Sequence, residues 1–382
     1  MIPLSLYIHL PWCVRKCPYC DFNSHAVGET LQEQRYVQAL LADLESDLPR
    51  TWGRRILSIF IGGGTPSLFS PEALDTLLSG LRARLPITAN CEITMEANPG
   101  TVEQGRFNAY RETGINRLSL GIQSFNDEQL KVLGRIHDAS EAHTAIETAR
   151  QAGFDNINLD IMFGLPGQSI AEGLSDLEAA LAHQPTHLSW YQLTLEPNTY
   201  FHVHPPALPD EETIDLLFNQ GQDRLAAQGF EQYEVSAYAQ RGRQCQHNLN
   251  YWEFGDYLGI GAGAHAKLTN PADCSIERFQ RIRDPEQYMQ AAVQGSAISQ
   301  QHSVKPADRA FEFMLNALRL SDGFSQQLFS ERTGLEYSYI ETRVSELADM
   351  GLISIEGDLL SPTEQGRRYL NEMTERFLPD HD

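Results

Sequence analysis

Short runs rich in β-branched and aromatic residues alternate with helix-period stretches from the amino end to about residue 200. LSLYIHL (4–10), ILSIFIG (56–62), CEITMEA (91–97), RLSLGIQ (117–123), NINLDIMFG (156–164) and HLSWYQLTL (187–195) read as strands. Between them lie amphipathic stretches such as LQEQRYVQALLADLESDL (31–48) and PEALDTLLSGLRARL (71–85). Ser70 is placed to cap the second of these, with Pro71 at its first helical position. Strand and helix repeated six times predict an α/β protein with a parallel sheet and right-handed crossovers. Gly63-Gly64-Thr65, Glu96, Gln123 and Asp160 fall where successive strands finish. In a barrel or partial barrel these residues would meet on one rim, where such folds build their sites.

Pro205, Pro206 and Pro209 break the alternation. A helix near 211–228, the strand-like FEQYEVSAYA (230–239) and the glycine-rich GDYLGIGAGAHA (255–266) follow. From about residue 300 the pattern becomes helix, helix, a two-stranded wing turning at Gly357-Asp358, and a terminal helix. Three units are expected: 1–240 as the β/α core, 241–300 as an extension, and 301–382 as a smaller winged-helix-like module. The second helix of that module carries Glu341, Glu346 and Asp349 against Arg343, a poor set for gripping phosphate. A docking or lid role is the expectation.

Composition narrows the classes. The formal net charge of −22 over 382 residues argues against a nucleic-acid partner. No run of about 18 apolar residues is present, so the chain is not expected to span a membrane. MIPLSLYIHLP is apolar but short, carries no lysine or arginine and runs directly into a cysteine cluster, so a secretory signal is not expected. The six cysteines, at 13, 17, 20, 91, 245 and 274, make a poor disulfide framework. A cytoplasmic location is expected.

Cys13, Cys17 and Cys20 form C-x3-C-x2-C. Structural zinc would need a fourth ligand, which His9 or His25 would have to supply. A ferredoxin-type cluster would need a fourth cysteine. Three thiolates on a four-iron cluster leave one iron open to a small molecule. With Tyr19 before the last cysteine, the motif resembles the signature of the radical S-adenosylmethionine superfamily. That resemblance implies a [4Fe-4S] cluster on the three cysteines and S-adenosylmethionine on the open iron. IGGGTPS (61–67), one β/α unit later, agrees with it, since consecutive glycines let a ligand approach the backbone.

More closely, the chain resembles the coproporphyrinogen III oxidase-like branch of that superfamily. The resemblance carries Tyr7, Gly63, Gly64, Thr65, Glu96, Gln123, Arg135 and Asp160 over as S-adenosylmethionine-site residues, and assigns no catalytic residue. On their own, Glu96 and Asp160 could cap strand ends or pair with Arg135, and Gln123 could satisfy backbone in a tight turn. Two departures weigh against the oxidase: Phe22 stands where those enzymes have a further cysteine, and the sequence starts six residues before Tyr7 where they have an extension. CQHNLNYW (245–252) instead resembles the H-N-x-x-Y-W motif of the HemW group of haem chaperones. That implies haem as cargo with His247 as its ligand, and recipient haem proteins, membrane respiratory enzymes among them, as partners. It also implies no oxidase activity. On its own, a histidine beside Tyr251 and Trp252 is more often a hydrogen-bonded core residue, and His265 and the pair His202/His204 compete as ligands. A monomer or a haem-dependent dimer fits these expectations, and the alternative is a radical enzyme acting on a tetrapyrrole.

Overall fold

The computed structural model describes residues 2–51, 53–100 and 106–379. Six parallel strands lead the chain: β1 Leu4–Leu10, β2 Ile56–Gly63, β3 Ile87–Ala97, β4 Arg117–Gln123, β5 Ile157–Phe163 and β6 His187–Gln192. A hairpin follows, β7 Glu231–Glu234 and β8 Ala237–Ala239, and then β9 Asp256–Ile260, β10 His265–Thr269, β11 Ile276–Arg281 and β12 Ile298–Val304. All twelve share one open sheet in the order β12-β11-β10-β9-β1-β2-β3-β4-β5-β6-β8-β7. The sheet does not close on itself, so the fold is a partial barrel.

Each parallel strand has two unlike faces. Leu4, Leu6, Ile8, Ile59, Ile61, Ile93, Met95, Leu118, Leu120, Leu159 and Ile161 are buried in one large core. The helices Glu33–Thr51 and Pro71–Arg84 pack on it through Tyr36, Val37, Leu40, Leu44, Leu74, Leu77 and Leu81. The intervening residues point the other way, as the two-residue period of a strand requires. They bond among themselves: Ser5 Oγ to Ser58 Oγ at 2.7 Å, Asn158 Nδ2 to Ser119 Oγ at 2.8 Å, and His187 Nδ1 to Asn158 Oδ1 at 2.6 Å. The inner face of the half-barrel is therefore polar and buried.

Ser70 caps Pro71–Arg84 as expected, its side chain accepting from the Ala73 amide. Several other expectations shift. The segment 230–239 is two strands, not one, and β6 stops at Gln192. Asp160 is not at a strand end but in the middle of β5, opposite Ser189. The glycine-rich run 255–266 forms two strands, β9 pairing in parallel with β1 and antiparallel with β10. After β8 the chain leaves the sheet through the helix Gln246–Trp252 and rejoins it beside β1, so the strands of 241–300 belong to the same sheet as β1 to β8.

The carboxyl-terminal module has its own core around Phe313, Phe329, Val344, Leu347 and Leu360. Its helices include Pro306–Ala317, Gln326–Thr333 and Glu341–Asp349, beside a three-stranded sheet of Phe324–Ser325, Ile353–Glu356 and Leu359–Pro362. Gly357, at φ 66°, makes the wing's turn. Phe254 of the sheet domain packs edge-on against Phe313 at 5.9 Å and so joins the two cores.

Candidate functional site

β1 delivers the chain directly into the cysteine loop. Trp12–Cys13 pairs with His25–Ala26 and closes the loop at its base. Trp12 packs edge-on against Tyr36 at 4.6 Å, and so anchors the loop to the helix Glu33–Thr51. The glycine run at the end of β2 clamps the same base, with the Gly64 amide donating to the Leu10 carbonyl at 2.8 Å and the Thr65 amide to the Trp12 carbonyl at 2.7 Å. A Cβ on Gly64 would stand 2.5 Å from the Trp12 carbonyl oxygen, so only glycine fits there.

Side chains from four sequence motifs close a ring around the loop. The Thr65 hydroxyl bonds toward Cys13 and accepts from Asn98 Nδ2 at 2.9 Å. Arg135 Nη2 donates to Asn98 Oδ1 at 2.5 Å and to the Gly121 carbonyl at 2.7 Å, while Nη1 reaches Cys17 Sγ at 3.8 Å. Arg135 is thus paired with neither Glu96 nor Asp160. Burial pushes the Cys13 and Cys20 thiols up, against partial relief from Thr65 at Cys13 and from the Phe22 backbone at Cys20.

The donor set fits a cluster better than a single ion. Among the described residues no three His, Cys, Asp or Glu side chains gather where one metal ion would sit. His9 offers nothing to zinc, because Nδ1 bonds the Tyr7 hydroxyl and Nε2 the Asn23 carbonyl, both at 2.9 Å. A cluster spreads its ligands over several irons and needs no common point. The guanidinium at Cys17 suits an anionic thiolate group, and Arg135 Nε is buried with no partner of its own. Tyr19 packs with Leu133, Met162 and Phe201, while its hydroxyl meets the Arg135 guanidinium.

Behind the loop, Tyr7, His9, Gly63, Glu96, His247, Tyr251, Tyr257 and His265 line a cavity of about 730 Å3. Glu96 Oε2 accepts from the Gly63 amide at 3.0 Å. Burial, and then the charge of Asp160, push the Glu96 carboxyl up to about 7. Asp160 is also raised by burial, against hydrogen bonds from Asn158, Ser189 and Ser119. Gln123 has φ 71° and accepts from the Tyr191 hydroxyl at 2.7 Å, so its side chain serves Tyr191 and not its own turn.

His247 lies on the helix Gln246–Trp252, which covers the polar inner face of the sheet. The Gln246 amide donates to Glu92 Oε1 at 2.9 Å, Asn250 Nδ2 to Ser5 Oγ at 3.0 Å, and His247 Nδ1 contacts Ser58 Oγ at 3.3 Å. The His247 ring lies 5.2 Å from Phe60 and 6.3 Å from Tyr7. Burial, then the charge of Arg117, lower its pKa to about 3, so the imidazole is neutral, with Nδ1 the nitrogen turned to Ser58. His265 shares the cavity. His202 and His204 do not: they sit on and beside the helical turn Tyr200–Val203, which rests on the cysteine loop through the Phe201 amide and the Pro18 carbonyl. The extended segment expected there is helical, so those two histidines do not share a strand face.

Asn98, Ser5, Ser58, Glu92 and Arg278 belong to this site and were not expected from the sequence. The signal was available for Ser5 and Ser58. LSLYIHL places Ser5, Tyr7 and His9 at alternate positions and ILSIFIG places Ser58 between apolar neighbours, and reading them as apolar runs hides the polar face.

Residues 7–180 match the family described as the radical SAM superfamily, and 304–369 match the HemN C-terminal domain. The chain is 51% identical over 378 residues to "Heme chaperone HemW" of Escherichia coli K12, covering 99% of each chain. It is 48% identical over 382 residues to the protein of the same name from Haemophilus influenzae, covering 99% of this chain and 98% of the other. The Escherichia coli radical SAM enzyme coproporphyrinogen III oxidase (HemN) superposes with a TM-score of 0.83 at 23% identity, over 98% of this chain and 90% of that one.

Proposed function

The chain belongs to the radical SAM superfamily and, within its coproporphyrinogen oxidase-like branch, to the HemW family of haem chaperones, and from that premise we propose that it binds haem in the cavity lined by His247 and hands it to recipient haem proteins. The observation that carries the reading is the meeting of two motifs. His247, from the H-N-x-x-Y-W helix, lines the same cavity as Tyr7, Gly63 and Glu96, from the strand-end rim. His247 would supply an axial nitrogen to the haem iron, and Tyr251 and Tyr257, 5.2 Å apart, would cover the porphyrin. Cys13, Cys17 and Cys20 would hold a [4Fe-4S] cluster, which would supply low-potential electrons. Gly63, Gly64, Thr65, Glu96, Gln123, Arg135 and Asp160 would surround S-adenosylmethionine, and Tyr7 and Tyr19 would border it.

Among the described residues no helix is long and apolar enough to cross a membrane. Delivery to a membrane respiratory enzyme would then proceed by protein contact from the cytoplasm. Haem-loaded protein mixed with membranes from haem-depleted cells tests this. Loss of its Soret band together with a gain of oxidase haem supports the reading, and retention of all haem contradicts it. Glu96 on the cavity wall favours a second reading, radical chemistry on a bound tetrapyrrole. Mass spectrometry of haem and coproporphyrinogen after incubation with reduced, cluster-replete protein and S-adenosylmethionine separates the two.

A further inference from the structure

The cavity has two unlike sides. One is the rim of Tyr7, Gly63 and Glu96; the other is built by the β10–β11 hairpin and the turn after it, through His265, Arg278, Gln280 and Arg283. His265 is directly opposite Gln280, and Lys267 opposite Arg278, so residues 265, 278 and 280 share one face of the hairpin. Arg278 is already committed: it forks onto Glu312 and donates to the Tyr257 hydroxyl at 3.0 Å. Arg283 is not. Among the described residues its side chain has no hydrogen bond or ion pair, whereas its carbonyl is held by Asn23 Nδ2 at 2.9 Å. The backbone is thereby fixed at the cavity mouth while the guanidinium stays available.

The surroundings agree. Burial, then the nearby charges of Arg278 and Arg283, lower the pKa of His265. The adjacent carboxylate, Asp284, already accepts from the Gln287 amide as a helix cap. The acids lining the cavity are Glu96 on the rim and Asp21, on the loop whose Asn23 holds the Arg283 carbonyl. Arg283 is exposed at the cavity mouth with no acid partner among the described residues, so its guanidinium is free to take an anionic group that enters there.

We infer that Arg283, with His265 and Gln280 beside it, binds a carboxylate of the cavity's ligand, so that the tetrapyrrole sits with its acidic edge toward the hairpin and its iron toward His247. A guanidinium matches a carboxylate as a planar two-donor fork. The inference rests on the haem reading.

The test titrates wild type, Arg283→Gln and Arg283→Lys with haem and with haem dimethyl ester, following the Soret band, and measures S-adenosylmethionine binding by equilibrium dialysis. Arg283→Gln should weaken haem binding about tenfold, the scale of one charge-assisted hydrogen bond. Arg283→Lys should keep part of the affinity, and the dimethyl ester should bind all three proteins equally and weakly. Equal haem affinity in wild type and Arg283→Gln, or ester binding to wild type as tight as haem, overturns the inference. A loss confined to S-adenosylmethionine affinity gives the carboxylate to that molecule and also overturns it. If wild type shows no Soret change with haem, the haem reading fails and this inference fails with it.

Discussion

The two sides of the cavity are built on different principles. The rim side comes from the ends of consecutive parallel strands and the loop that follows β1, so its residues are close in sequence to structural landmarks. The hairpin side comes from β9 to β11, where an antiparallel extension adds its side chains by cross-strand register. Beside the rim, hydrogen bonds link Thr65, Asn98 and Arg135 with Cys13 and Cys17 into a local ring around the cysteine loop. On the hairpin side, position depends on a buried charge cluster: Asp256 accepts from Arg54 at 2.7 Å, Lys267 at 3.0 Å and the Thr269 hydroxyl at 2.8 Å. A rim of that kind is tuned for chemistry; a hairpin of that kind is tuned for holding shape. The difference makes the two sides separable by mutation.

The largest separation should come from Cys17→Ser, which is expected to remove iron and sulfide from anaerobically prepared protein while haem still binds. Loss of both would show that the sides are one unit. Asp256→Ala should act on the other side. It leaves Arg54 and Lys267 buried without their acid and is expected to destabilise by about 3–5 kcal/mol in denaturant titrations. The pH dependence gives the sign. Burial pushes Asp256 up, but Lys267 and Arg54 more than offset it and hold the carboxyl below its ordinary range. Its contribution is therefore present above that range and lost as pH falls through the lowered value, a loss that the variant should not show.

Glu96→Gln probes the rim more gently. A carboxyl raised to about 7 keeps its proton in the fold and loses it when unfolded, so stability falls as pH rises from 4.5 to about 7. The substitution should flatten that slope, by at most about 3 kcal/mol, in thermal melts of ligand-free protein. An unchanged slope would assign the titration elsewhere. The smallest effect is expected for Tyr251→Ala, which should weaken haem binding about fivefold through lost ring contact, with no change in the iron-sulfide content.

The rim was legible in the sequence because its chemistry is local. Three cysteines within eight residues, and glycines at a strand end, keep their meaning whatever surrounds them. The parallel order of β1 to β6 followed from strand and helix alternation alone. The hairpin side was not legible: His265, Arg278 and Arg283 carry no shared spacing, and only the pairing of β10 with β11 brings the first two together. The H-N-x-x-Y-W helix falls between these cases. Its residues stood out, but its seat on Ser5, Ser58 and Glu92 depends on strands more than 150 residues earlier. Asp160 was grouped with the residues where strands finish; the polar inner face of the sheet lets it sit mid-strand instead.

The central claim is that the cavity shared by the two sides is the haem site, with His247 as the iron ligand. Titration of haem into wild type and His247→Ala, read by the position of the Soret band and by affinity, tests it most directly. The account predicts a shifted band and weakened binding in the variant. Superimposable spectra and equal affinity would contradict it.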